Sequence, residues 1–151
     1  MYILKGIQLF QIFDIILILI GKSKGSLIGS IFQILGRNIV TLIFISPESD
    51  KLKFATVAIL WAIAEVNRYL YYLFKDNPLT GFLRYNAFLV LYPFGTFAEM
   101  MIINDFIKIN SETLSDVYVY LIRAVQAGII IGFLALYQYM LKSRKKYFKS
   151  L

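Results

Sequence analysis

Cysteine and histidine are both absent from the 151 residues of the chain. Their absence excludes disulfide scaffolds, thiolate nucleophiles, the usual zinc sites and any histidine-based triad. Chemistry, if there is any, uses carboxyl, phenol, hydroxyl or basic groups. Acidic side chains are also scarce, 9 against 16 Lys and Arg, for a formal net charge of +7. That balance alone would fit a nucleic-acid partner. The basic residues, however, sit in connections and in the tail, not in a stripe with interleaved aromatics, so no nucleic acid is expected. Membrane topology explains them better.

The excess is apolar: 59% of residues are hydrophobic and the mean hydropathy is +0.68, outside the range of an ordinary water-soluble domain. The apolar residues fall into five runs of about 18 to 25, each long enough to cross a hydrocarbon core of roughly 30 Å. The fold class predicted is all-α, an integral membrane bundle of five transmembrane helices over residues 1–141. A basic cytosolic tail follows at 142–151. The first run, Tyr2 to Ile20, carries Lys5, Gln8, Gln11 and Asp14 at regular spacing. They read either as a polar seam facing other helices or as one side of an interfacial amphipathic helix.

In the second run, Ser26 to Ser46, the polar residues Ser30, Gln33, Arg37 and Thr41 step by three or four and form one narrow stripe. Arg37 can snorkel, serve as a buried counter-ion or meet a ligand. In the third, Phe54 to Phe74, Trp61, Glu65, Arg68 and Tyr72 share one side, and Glu65 is placed to pair with Arg68. That pair is a brace, unless Arg68 takes an anionic ligand group. The fifth, Val117 to Leu141, contains Gly128 and Gly132 four apart, a spacing that predicts close helix contact.

The fourth run, Leu79 to about Ile107, holds a carboxyl where water is scarce. A buried carboxyl costs several kcal/mol unless it faces a cavity or a partner, so Glu99 is a functional candidate. Tyr92 lies seven residues earlier, almost two helical turns, so both side chains leave one face about 10 Å apart along the axis. Tyr85 and Phe88 share that stripe. Pro93 removes a backbone donor between them, and Gly95 clears space. With the tail in the cytoplasm, Lys22, Lys24, Lys75 and Arg84 fall on its side, and Glu48, Asp50, Asp105, Glu112 and Asp116 opposite. Five spans then leave the N-terminus outside.

At Leu91-Tyr92-Pro93-Phe94-Gly95 followed by Glu99, the chain resembles the very-long-chain 3-hydroxyacyl-CoA dehydratase family, once called protein-tyrosine-phosphatase-like membrane proteins. Arg84-Tyr85 and Phe88 stand where the family has its RY and F. Trp61, Glu65, Arg68-Tyr69 and Tyr72 look like its W, E, RY and Y. Gln8, Asp14, Gly21, Gln33 and Arg37 fit its Q, E, G, Q and R, and Tyr137 and Met140 its closing Y and M. The departures are Leu17 for a usual histidine, Phe82 for a tryptophan, Asn86 for a threonine and Asp14 for a glutamate.

The resemblance implies catalysis by Tyr92 and Glu99, converting a 3-hydroxyacyl-CoA to the trans-2-enoyl-CoA, the third step of each fatty-acid elongation cycle. The setting implied is a multi-pass protein of the endoplasmic reticulum membrane, beside the other elongation enzymes and in contact with membrane lipid. No metal and no organic cofactor are implied. One group removes the proton next to the thioester carbonyl and the other protonates the departing hydroxyl; either assignment works. Arg84, Arg68, Arg37, Gln33, Tyr85 and Gly95 are the candidate substrate-binding residues. Family members have six spans with both termini cytosolic, so a first span is expected upstream, or the enzyme is a reduced one. Two other classes fit: a catalytically inactive membrane scaffold of the elongation complex, and a small transporter with Glu99 as proton relay.

Overall fold

A computed structural model of the chain describes residues 6, 13, 16, 20, 27–45, 50–74 and 77–149. Four helices run in order: α1 (Leu27–Ile39), prolonged by a π-helical turn at Val40–Phe44, then α2 (Lys51–Leu73), α3 (Pro78–Ile109) and α4 (Asp116–Lys149). There is no strand among the described residues. Predicted spans two to five fall on these helices. Most of the first span, with Lys5, Gln8, Gln11, Asp14 and Leu17, lies outside the described residues, as do Gly21, Lys22, Lys24, Glu48, Lys75 and Asp76.

Local chemistry sets the helix starts. Asp50 caps α2, its carboxylate accepting from the Leu52 N–H at 2.9 Å. Asn77 caps α3 in the same way on Leu79, and Pro78 at the first helical position gives up an N–H that would have had no partner. Asp116 opens α4 and Lys146 and Lys149 close it, each charge placed to suit the helix dipole. α3 runs unbroken through Pro93. α4 continues without a break past Leu141, so the basic residues 142–149 are helical.

α2 packs antiparallel to α3, and α3 to α4, as the descending contacts across each pair show. Lys53 meets Asp105, Trp61 meets Glu99 and Tyr71 meets Tyr85 between α2 and α3. Asn104 meets Gln126, Phe88 meets Tyr137 and Asn86 meets Arg144 between α3 and α4. The core lies toward one end, where Val40, Phe44 and Ile45 pack with Val57, Trp61, Ala98, Ile102 and Ile103.

Pro78–Ile109 and Asp116–Lys149 are long and apolar enough to cross a membrane. α2 has the length, but Lys51, Lys53, Glu65, Asn67 and Arg68 dilute it, and α1 is short. Large apolar side chains point outward on the two membrane-length helices, among them Val90, Phe94 and Phe97 on α3 and Leu121, Ile131 and Leu134 on α4. An outer surface of that kind suits lipid rather than water.

Candidate active site

The four helices enclose a half-open hollow of about 380 Å³. α1 contributes Gln33 and Arg37, α2 contributes Leu60, Trp61 and Ala64, α3 contributes Tyr92, Gly95, Thr96 and Glu99, and α4 contributes the stripe Val125 to Leu136. The Tyr92 and Glu99 stripe therefore faces the bundle, and the structure brings both residues to one cavity. Gly95 sits one turn from each; a Cβ built there would meet no atom within 4 Å. Gly128 and Gly132 both line this hollow, and at Gly128 the expectation of close helix contact is corrected, since a Cβ there also meets nothing within 4 Å.

A narrower cleft of about 60 Å³ adjoins the hollow and has a different character. Arg68, Arg84, Asn67, Tyr72 and Tyr139 line it, and Gln33, Ala64, Leu91, Tyr92 and Leu136 belong to both spaces. The join therefore falls at the Tyr92 end, with Glu99 deeper in the apolar part. α4 runs antiparallel to α3, so Leu136 marks the same level as Tyr92, and Val125 lies about 16 Å further along the axis.

The charges are arranged in two groups. Glu65 accepts from Arg37 Nη1 and, at 3.3 Å, from Gln33 Nε2. Its other oxygen lies 2.7 Å from Arg68 Nη2, paired by charge as the sequence spacing predicts, although the angle makes no hydrogen bond. Arg37 is only 5% exposed, and its guanidinium also lies over the Trp61 ring, 5.5 Å from the centroid. Glu99 makes no salt bridge with these ions, although Arg37 lies over the indole that bonds it. Among the described residues its hydrogen-bond partner is the Trp61 indole, whose Nε1 donates to Oε1 at 2.8 Å.

Arg84 is held by rings. Its guanidinium lies 4.8 Å from the centroid of Tyr71 and 5.0 Å from that of Tyr72, and its buried Nε has no hydrogen-bond partner among the described residues. Tyr85 is not among the residues lining either space. It is turned between Tyr71, edge-on at 5.7 Å, and Tyr147, stacked at 4.6 Å. Of the candidates, Tyr92, Glu99, Arg37, Gln33 and Gly95 meet at the hollow, Arg68 and Arg84 meet at the cleft beside it, and Tyr85 stands behind Arg84. Sequence reasoning placed Trp61 on the right stripe but missed it as the partner of Glu99; its lead position before Glu65 and Arg68 was the only signal.

An all-helical bundle with membrane-length helices and a half-open apolar hollow, bordered by arginines, defines a class of helical membrane proteins. Residues 8–150 match the family described as protein tyrosine phosphatase-like protein, PTPLA, and the chain belongs to it. It is 28% identical over 160 residues to a chicken (Gallus gallus) protein named very-long-chain (3R)-3-hydroxyacyl-CoA dehydratase, covering 93% of this chain and 44% of that one. To the dog (Canis lupus familiaris) very-long-chain (3R)-3-hydroxyacyl-CoA dehydratase 1 it is 28% identical over 162 residues, 95% of this chain and 65% of the dog protein. A bovine (Bos taurus) dehydratase 3 is 31% identical over 101 residues, 62% of this chain and 28% of its own length. The chain thus spans less than two thirds of each of these relatives. No solved structure gives a significant match.

Proposed function

We propose that the protein is a 3-hydroxyacyl-CoA dehydratase, a hydro-lyase that forms the trans-2-enoyl thioester with Tyr92 and Glu99. The observation that carries this reading is the meeting of two unlike spaces at Tyr92: an apolar hollow holding Glu99 and a cleft bearing Arg68 and Arg84. A long acyl chain with a charged carrier needs both, in that order. The names of the relatives point to the same reaction.

In the proposed chemistry Glu99 removes the proton on C2 and Tyr92 donates to the C3 hydroxyl as it leaves as water. Trp61 Nε1 can only donate, so Oε1 of Glu99 is committed as an acceptor and Oε2 is left to take the proton. The acyl chain lies along Val125, Ile129 and Phe133, and Arg84 faces an anionic group of the carrier. By family resemblance the protein works as a multi-pass protein of five or more spans in the endoplasmic reticulum membrane, within the very-long-chain elongation cycle and beside its other enzymes. The test is conversion of a 3-hydroxyacyl-CoA by the purified protein in detergent. Release of the enoyl thioester supports the reading, and no turnover with any chain length rejects it in favour of a scaffold.

Two further outcomes follow from the lining. Arg84→Ala is expected to raise KM about 10- to 100-fold with little change in kcat, the size of a lost charge-assisted contact of about 1.5–3 kcal/mol. Unchanged kinetics would remove Arg84 from the site. Gly95→Leu should act oppositely on stability and turnover. Leu is better than Gly inside a helix by roughly 0.5–1 kcal/mol, and the position is free of clash at Cβ. The side chain would nonetheless fill the space between Tyr92 and Glu99. A variant that melts no lower than the parent yet fails to turn over substrate is expected; full activity would show that substrate does not pass Gly95.

A further inference from the structure

The basic end of α4 has so far had no role beyond its charge. It packs back onto the start of α3 through several contacts. Arg144 donates to Asn86 Oδ1 from Nη2 at 3.0 Å and from Nε at 3.3 Å. Tyr147 stacks on Tyr85 with ring centroids 4.6 Å apart and planes 26° from parallel. Phe148 meets Phe82 edge-on at 6.4 Å. A Cβ built on Gly81 would overlap the Tyr147 hydroxyl and ring, so the close approach depends on glycine at that position. Lys145, Lys146 and Lys149 remain exposed, so the half-buried faces of Arg144 and Tyr147 are distinct from the solvated charges beside them.

The contacts continue inward. Tyr85, pinned from behind by Tyr147, meets Tyr71 edge-on at 5.7 Å. Tyr71 and Tyr72 are the two rings closest to the Arg84 guanidinium, and Tyr85 itself is 5.9 Å from it. Arg84 is thus oriented by aromatic faces, and those faces are backed by the last turns of α4.

We infer that the segment Arg144–Phe148 is a strap that positions Arg84 for the anionic carrier of the substrate, with Tyr147 and Arg144 as its positioning residues. This rests on the reading of Arg84 given above. Neither residue touches the reacting carbons, so the strap should govern carrier recognition and leave the chemical step alone.

The test compares two substrates and one non-reacting ligand. Tyr147→Ala and Arg144→Gln are expected to raise KM for a 3-hydroxyacyl-CoA several-fold at unchanged kcat. KM for the corresponding N-acetylcysteamine thioester, which lacks the phosphates, should stay as in the parent. Tyr147→Phe keeps the stacked ring and should behave as the parent, whereas Gly81→Ala should reproduce Tyr147→Ala by displacing the ring from the other side. Binding of free CoA to the purified protein, measured by calorimetry, supplies a readout independent of turnover and should weaken by the same factor. Equal CoA binding by the parent and Tyr147→Ala, or equal losses with both thioesters, overturns the strap. If the parent binds CoA, and Tyr147→Ala binds it more weakly, while no thioester is turned over, the strap stands and the dehydratase reading fails.

Discussion

Glu99→Gln and Tyr92→Phe are each expected to lower kcat by about 10²- to 10⁴-fold, the usual contribution of a positioned acid or base. Both substitutions are mild in structural terms. Gln keeps an oxygen for the Trp61 indole, which donates to Oε1 at 2.8 Å, and Phe keeps the ring that meets Phe88 edge-on at 5.8 Å. Melting behaviour in detergent should therefore stay close to that of the parent. Because both groups act in one step, the double variant should lose little more than the worse of the two singles. Turnover within tenfold of the parent for either variant would take that residue out of the chemistry. Loss confined to Glu99→Gln would assign both proton transfers to the carboxyl and leave Tyr92 as a binding group.

Helical spacing alone put Tyr92 and Glu99 on one face, because seven residues bring a helix back almost to its starting angle. The same rule grouped Trp61, Glu65, Arg68 and Tyr72 on α2, where Trp61 lines the hollow, Arg68 and Tyr72 line the adjoining cleft and Glu65 joins two arginines. It could not separate Tyr85 from Tyr92, since the two are again seven apart. What turns Tyr85 away is Tyr147, sixty-two positions later in the sequence, and no local pattern encodes that contact. The expectation of close contact at Gly128 fails for a related reason. Two small residues four apart read alike whether they face a neighbouring backbone or an empty space, and only the packed bundle distinguishes the two. The residues after Leu141 read as a tail because their polarity hides a continuing helix. Its half-buried side, with Arg144 and Tyr147, is outnumbered by lysines.

Glu65 carries the largest expected effect on stability. Its side chain is 13% exposed, and its partners Arg37 and Arg68 are 6% and 12% exposed, so all three charges are largely out of water. Removing one member of such a group strands the others, at a typical cost of about 3–5 kcal/mol. Glu65→Ala should accordingly lower the melting temperature in detergent sharply. Glu65→Gln should fall between that variant and the parent, because it retains an acceptor for Gln33 but no charge. The double variant Arg37→Met/Glu65→Leu separates the two roles that Arg37 can have. Apolar side chains in place of a buried ion pair are often neutral for stability, but Arg68 loses its carboxylate partner and keeps the Tyr69 hydroxyl at 3.0 Å, so the double variant should melt between Glu65→Ala and the parent. If Arg37 only braces Glu65, turnover recovers in step with the melting temperature, above the level of Glu65→Ala. If Arg37, which also lines the hollow, meets the substrate, the melting temperature rises above that of Glu65→Ala and turnover does not. A Glu65→Ala protein that melts with the parent would show that the arginines find water in the folded protein, and the buried network would have to be abandoned.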